Sequence, residues 1–354
     1  MIGALLALAV LAGPPEPPRL YVANQDDASV SVIDAATLEL VATVDLEALG
    51  FGPAARPHHA QVEPDGSAWY LTLIGAGKLL KFDRANRIVA SLDLEVPGLI
   101  TLDPKADRLV VGRSMSAVSP PSRVALVRRS DLQLLDEYDV FFPRPHALVA
   151  HPGGGYAYVA SLGVNQLASL RLEDGHLGLV EVPGPPHTLS QFSVSPDGRW
   201  LLATAETSSL LLVFDLADPA RPRLAREVPM EKGPFESVFS WDGRTVFVTN
   251  LTANVVTVVD PETWVPVAVL RDPSFVQPHG LALSPDGRYV FVSSRHQSGG
   301  AHDHEGMKAT AHGTVTAICI PTRGVERVIA VENYAAGMGA PRPDPLPATP
   351  ASCR

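Results

Sequence analysis

Short apolar runs alternate with polar turns along nearly the whole chain, and the stretch LALSPDGRYVFVSS at 281–294 shows the unit most clearly. An apolar strand leads into a turn in which proline presets φ and glycine supplies φ > 0, and a second strand follows. The turns recur as EPDG (63–66), HPGGG (151–155), SPDG (195–198) and SWDG (240–243). The second strands recur as WYLT (69–72), LVVG (109–112), AYVA (157–160), LLAT (201–204) and VFVTN (246–250). A third strand alternates or runs apolar, as in KLLKFD (78–83), LLLVFD (210–215) and VVTVVD (255–260). That pattern suits a sheet stacked between two neighbours. A shorter, more polar fourth strand completes the unit.

The residues that open the turns are Pro64, Pro104, Pro152, Pro196, Trp241 and Pro285, so the repeat spacings are 40, 48, 44, 45 and 44 residues. A four-stranded unit at that period is a propeller blade. The chain begins in mid-unit, because YVAN (21–24) and SVSVID (29–34) are second and third strands with no first strand before them. At the other end, ENYAAGMGA (332–340) suits a first strand and lacks the strands that should follow. Pairing the two completes a ring with no open inner edge. The expectation is an all-β protein, a seven-bladed β-propeller of four-stranded blades over 19–340, closed by pairing a C-terminal first strand with the N-terminal blade.

YVAN, VFVTN and the SPDG turns resemble the YVTN-type bacterial β-propeller repeat family, and the resemblance covers roughly 19–340. Relatives by fold include surface-layer and periplasmic repeat proteins, lactonases and a haem-binding propeller. The resemblance therefore implies the ring and leaves function to the site.

Composition changes this picture in three ways. A net charge of -10 and the lack of a basic run argue against a nucleic-acid partner. The apolar segment IGALLALAVLAG (2–13), with Val10, Leu11 and Ala12 before Gly13, has the length of a signal-peptide core and is too short to span a bilayer. Residues 1–13 are thus expected to be a signal peptide, the location periplasmic or extracellular, and no membrane span remains after cleavage. The Pro-rich stretch 341–354 is expected to be a disordered tail. The two cysteines, Cys319 and Cys353, either pair in an oxidising compartment or remain a buried hydrophobe and a free thiol; spacing alone does not decide. No CxxCH occurs, which excludes covalent c-type haem.

Candidate chemistry concentrates in eleven histidines. His58, His146, His187 and His279 each follow a proline near the start of a first strand, with His59 beside the first. Inner strands start at one mouth of the axial channel, so these imidazoles should crowd that mouth. His58, His146 and His279 each stand six residues before their turn proline; His187 stands nine before Pro196, which implies a longer approach. The last blade adds a 19-residue connection carrying His296, His302, Asp303, His304, Glu305 and His312. Neutral imidazole with carboxylate suits copper, zinc or iron. The candidate metal set is His58, His59, His146, His187, His279, His302 and His304. The alternative is a neutral imidazole ring bonded to backbone and water.

Other candidates are Glu236 as a channel carboxylate or general base, Arg113 beside the 114–122 loop as an anion binder, and Glu206 after a second strand. No nucleophile elbow, P-loop or dinucleotide fingerprint is present. Three functions from different classes stay open. One is an exported protein binding a metal or metallo-cofactor at its His-rich mouth. Another is a scaffold for an exported protein or polymer. The last is a lyase or lactonase using a His/Glu pair on a small molecule in the channel mouth.

Overall fold

A computed structural model describes residues 17–113, 121–296, 312–349 and 352–353. Seven four-stranded antiparallel sheets are arranged as blades of a β-propeller. Blades two to seven follow chain order, with inner strands Pro57–Val62, Ile100–Leu102, Pro145–Ala150, Leu189–Val194, Pro234–Phe239 and Pro278–Leu283.

Blade one joins the chain ends. Its inner strand, Ala335–Gly339, pairs antiparallel with Arg19–Asn24, placing Tyr21 opposite Gly339 and Val22 opposite Met338. A latch reinforces the closure: the Asn333 amide N–H donates to Asp27 Oδ2 at 2.6 Å and Asn333 Nδ2 to Asp27 Oδ1 at 3.0 Å.

The blades share their cores instead of each enclosing one. Among the described residues, apolar clusters span each of the seven junctions, from Tyr21, Val30 and Trp69 between blades one and two to Tyr289, Phe291 and Val22 between seven and one. At the first junction Trp69 is sandwiched, its ring 4.4 Å from Tyr21 and 4.0 Å from Phe82. The turns behave as their composition requires. In blades five, six and seven a serine (Ser195, Ser240, Ser284) donates to the turn aspartate and accepts a backbone N–H from the following strand. Gly198 takes φ 77° there.

Within the Pro-rich stretch, residues 341–349 and 352–353 are described. It leaves the inner strand of blade one and crosses the turn-bearing face of the ring, with Pro341 and Pro347 packed near the turn glycines Gly66 and Gly287. Beyond it Cys353 is disulfide-bonded to Cys319 of blade seven, at a Cα–Cα separation of 5.9 Å. An apolar strand needs an apolar surface to order it, whereas this segment is held by proline packing and one covalent bond.

Ending the chain at Ile329 deletes the innermost strand of blade one and exposes the edge of Arg19–Asn24. The truncated protein is expected to lose its single cooperative unfolding transition in scanning calorimetry. A melting profile matching that of the full chain would contradict closure by this strand.

Candidate functional site

Each inner strand is aimed by the same local device. The residue before it sits in the left-handed region in six blades: Arg56, Arg144, Thr188, Gly233, Gln277 and Tyr334 have φ between 50° and 71°. The turn delivers the strand's second residue to the channel mouth, and in three blades that residue is a histidine. His58, His146 and His279 are buried there, and the rings of His58 and His146 lie 5.9 Å apart edge to face.

A bulge follows, and a hydroxyl stabilises it. In blades two, five, six and seven the third residue's N–H is bonded to a side-chain oxygen on the second strand. The pairs are His59 to Thr72 at 3.3 Å, Gln191 to Thr204 at 3.1 Å, Glu236 to Thr249 at 3.0 Å and Gly280 to Ser293 at 2.8 Å. The same hydroxyls donate to the next blade, to the carbonyls of Gly98, Phe235, His279 and Ala336 at 2.6–3.0 Å. One hydroxyl thus satisfies the bulged amide and ties two blades together. Blade four has Ala160 at this position, and there the ring of His146 makes the link, Nδ1–H donating to Ser190 O at 2.7 Å.

The bulge turns His59 and Glu236 into the channel. With Gln61, Thr101, Gln191 and Arg342 they line a cavity of about 260 Å³ on the axis. Burial pushes the His59 imidazole down to about 4, so it is neutral at ordinary pH. Its Nδ1 accepts the Ile100 amide N–H at 3.3 Å, which places the ring proton on Nε2. On the other side Gly337 allows the ring its place, because a methyl group there would lie 2.9 Å from His59 Cδ2 and 2.5 Å from the His58 carbonyl. The Nε2–H edge is left pointing away from the strand, toward the axis. Glu236 is pushed up to about 8 by burial, opposed in part by a hydrogen bond from the Leu281 amide. Near neutral pH the cavity therefore holds an uncharged N–H donor and a carboxyl group poised to exchange a proton.

The other sequence candidates fall out differently. His187 is not part of the ring: Ser190 occupies the equivalent position, and both His187 ring nitrogens are engaged, with Ser208 Oγ at 2.8 Å and Pro183 O at 2.9 Å. Its longer spacing to the turn proline was the sign of this. His279 packs on Phe235 with ring centroids 4.2 Å apart. His302, His304, Asp303 and Glu305 lie outside the described residues. Among those described, no group of three or more His, Cys, Asp or Glu side chains is disposed to hold a metal ion. Arg113 is tied to Glu137 and to the Glu95 carboxylate at 2.8 Å. Glu206 accepts the Ser190 hydroxyl at 3.1 Å. A larger cavity of about 320 Å³ lies off the axis between Arg19, Pro64, Arg84 and Pro343. Size does not select the site here, because the inward carboxyl and imidazole are both in the smaller cavity.

Reasoning from sequence passed over Gln61, Gln191 and Arg342. A signal for the channel layer was present, since aligning Pro57, Pro145, Pro234 and Pro278 puts His59 and Glu236 at one strand position.

The geometry defines a seven-bladed β-propeller with a polar axial site, and structural comparison agrees. No protein-family model matches the chain. A protein of Desulfotomaculum acetoxidans described as functionally unknown is 16% identical, with a TM-score of 0.71 over 92% of this chain and 99% of that one. The periplasmic gluconolactonase PpgL of Pseudomonas aeruginosa is 19% identical, with a TM-score of 0.69 over 91% and 98%. Dihydro-haem d1 dehydrogenase NirN is 17% identical, with a TM-score of 0.60 over 94% and 77%. These likenesses concern the fold. By sequence the chain is similar to a 6-phosphogluconolactonase of Enterobacter sp. (strain 638), 28% identical over 143 residues, which is 40% of this chain and 43% of that relative. The matched region thus spans less than half of the curated relative's length.

The shifted groups make stability depend on pH with opposite signs. Folded Glu236 keeps a proton that the unfolded chain releases near 4.5, so its contribution falls as pH rises from 4.5 toward 8. His59 is neutral when folded and takes a proton near 6.5 when unfolded, so its contribution rises with pH between about 4 and 6.5. From 6.5 to 8, of the two, the Glu236 slope alone remains. Glu236→Gln is expected to flatten that window, so that the wild-type Tm drops relative to the variant's by on the order of a few degrees. Parallel Tm curves from pH 6.5 to 8 would contradict the buried, protonated carboxyl.

Proposed function

We propose that this chain is a small-molecule hydrolase of the lactone or cyclic-ester class, working in the axial cavity. The observation that carries the reading is the pairing of Glu236, raised to about 8, with the neutral His59 in one cavity. Ionised Glu236 takes a proton from a water molecule, which attacks the lactone carbonyl. His59 Nε2–H donates to the oxygen on which negative charge develops. The intermediate collapses with cleavage of the ring C–O bond, and protonated Glu236 returns its proton to the leaving alkoxide. Water is consumed and a hydroxy acid is released, with Glu236 restored. A neutral imidazole serves here as electrophile in place of base, because its acceptor nitrogen is occupied by Ile100.

A cavity of about 260 Å³ suits a compact ligand, below the ~300–1,000 Å³ usual for drug-sized molecules. The similarities to gluconolactonases point to the same substrate class. The Cys319–Cys353 disulfide and the fold likeness to a periplasmic protein are consistent with an exported member of the YVTN-type repeat family.

Turnover of glucono-δ-lactone and simple γ- and δ-lactones is expected, with kcat/KM rising with pH to a plateau above about 8. Glu236→Gln should lower kcat by about 10²–10⁴ and His59→Ala by about 10²–10³. Wild-type hydrolysis no faster than that of Glu236→Gln would end this reading.

A second reading, a metal or metallo-cofactor at the mouth, is favoured by the side-chain tautomers of two ring histidines. His146 Nδ1–H is committed to Ser190 O, and His58 Nδ1 lies 3.3 Å from Gln25 Oε1, which puts both lone pairs on Nε2. Elemental analysis of protein purified without a His tag is the test. A bound copper, zinc or iron should be retained about 10-fold or more less tightly in His146→Ala than in a His176→Ala control, whose side chain is exposed. Equal retention in the two variants would remove the reading.

A further inference from the structure

The strap formed by the C-terminal segment does more than cover a face. Immediately past the inner strand of blade one, Ala340 and Arg342 reach the axial cavity, while Pro341, Pro343 and Asp344 face the off-axis one. From 340 to 343 successive residues are therefore turned to opposite sides, as in an extended chain, and Asp344 ends the alternation by staying on the off-axis side. Arg342 is partly buried, and no hydrogen bond or ion pair engages its guanidinium among the described residues. Burial lowers its pKa, an effect that the charge of the nearby Asp344 opposes. The other arginines near that face are occupied: Arg84 donates to Pro17 O at 3.1 Å, Arg19 to Arg84 O at 2.9 Å, and Arg288 pairs with Asp286.

A partly desolvated cation with no hydrogen-bonded partner carries a cost, and a planar guanidinium supplies paired N–H donors that match a carboxylate or phosphate. With Glu236 protonated near pH 7, nothing in the cavity lining offsets the charge of Arg342. The strap is fixed on both sides of it, by strand pairing at Gly339 and by the Cys319–Cys353 disulfide.

We propose that Arg342 is the specificity-determining residue of the axial site, and that the small molecule bound there carries an anionic substituent that this guanidinium grips. The inference rests on the axial cavity being the substrate site. It names the charge of the substrate and gives the disulfide a task, since the anion-binding residue is delivered by a segment that the disulfide helps to anchor at its far end.

The test is calorimetric titration of the full-length, oxidised protein at pH 7 with inorganic phosphate and, separately, with acetate. Saturable binding of at least one is expected; phosphate alone points to a phosphorylated ligand, acetate alone to a carboxylate. Arg342→Gln should weaken it by about 10-fold or more, and Arg342→Lys, which keeps charge and stem, by less. Arg84→Gln, on the off-axis cavity, should stay within about two-fold of wild type. Reduction or Cys353→Ser should weaken binding several-fold by freeing the strap. Absence of binding for both anions, or equal binding by wild type and a folded Arg342→Gln or Arg342→Lys variant, overturns the proposal. The hydrolase reading fails separately: anion binding that depends on Arg342, without turnover of any lactone, leaves this site standing and removes only the chemistry.

Discussion

Burial between neighbouring blades is the constraint on which the rest of this molecule depends. A four-stranded blade has two apolar faces and no interior of its own, so each face must be covered by the next blade and the series ends only by returning to its start. The apolar clusters lie at the junctions for this reason, from the Tyr21, Trp69 and Phe82 stack to the Tyr289 and Phe291 group against Val22. Closure by Ala335–Gly339 follows as a necessity, and the Asp27–Asn333 latch fixes it where the two chain ends meet.

The same closure shapes the axial cavity and the groups that line it. Seven inner strands converge on the axis, so a carboxyl group pointing inward loses much of its hydration beside a cavity of about 260 Å³. Glu236 and His59 are shifted by this one cause, in the directions that leave both uncharged near neutral pH. The hydroxyls of Thr72, Thr204, Thr249 and Ser293 connect architecture to site. Each relieves the bulge of an inner strand and bonds the next blade, and three of those bulges carry His59, Gln191 and Glu236 to the channel lining. Stability and the placement of functional groups are in this respect a single arrangement.

The two mouths of the ring differ. One gathers His58, His146 and His279 at the strand starts; the other is crossed by the Pro-rich strap that brings Arg342 to the axis. A ligand of the axial cavity would have imidazoles toward one end and a guanidinium toward the other, an electrostatic asymmetry that favours one orientation of a molecule carrying charge at a single end.

The repeat period, the turn residues and the orphan strand at 332–340 were enough to specify the ring, because strand alternation and turn chemistry are local and seven copies reinforce one another. They also located the histidines of the mouth, since a residue following the first proline of an inner strand has one place to go. The inward-turned pair of the axial cavity was less accessible. His59 and Glu236 share a strand position whose meaning depends on a bulge, and the bulge depends on a hydroxyl from another strand. His187 looked equivalent to its neighbours, yet a longer approach gave its place to Ser190. The pKa values, the packing of the 341–349 strap, the disulfide and the arrival of Arg342 at the axis were decided by tertiary structure alone. Desolvation and long-range contact arise only when distant parts of the chain enclose the same space.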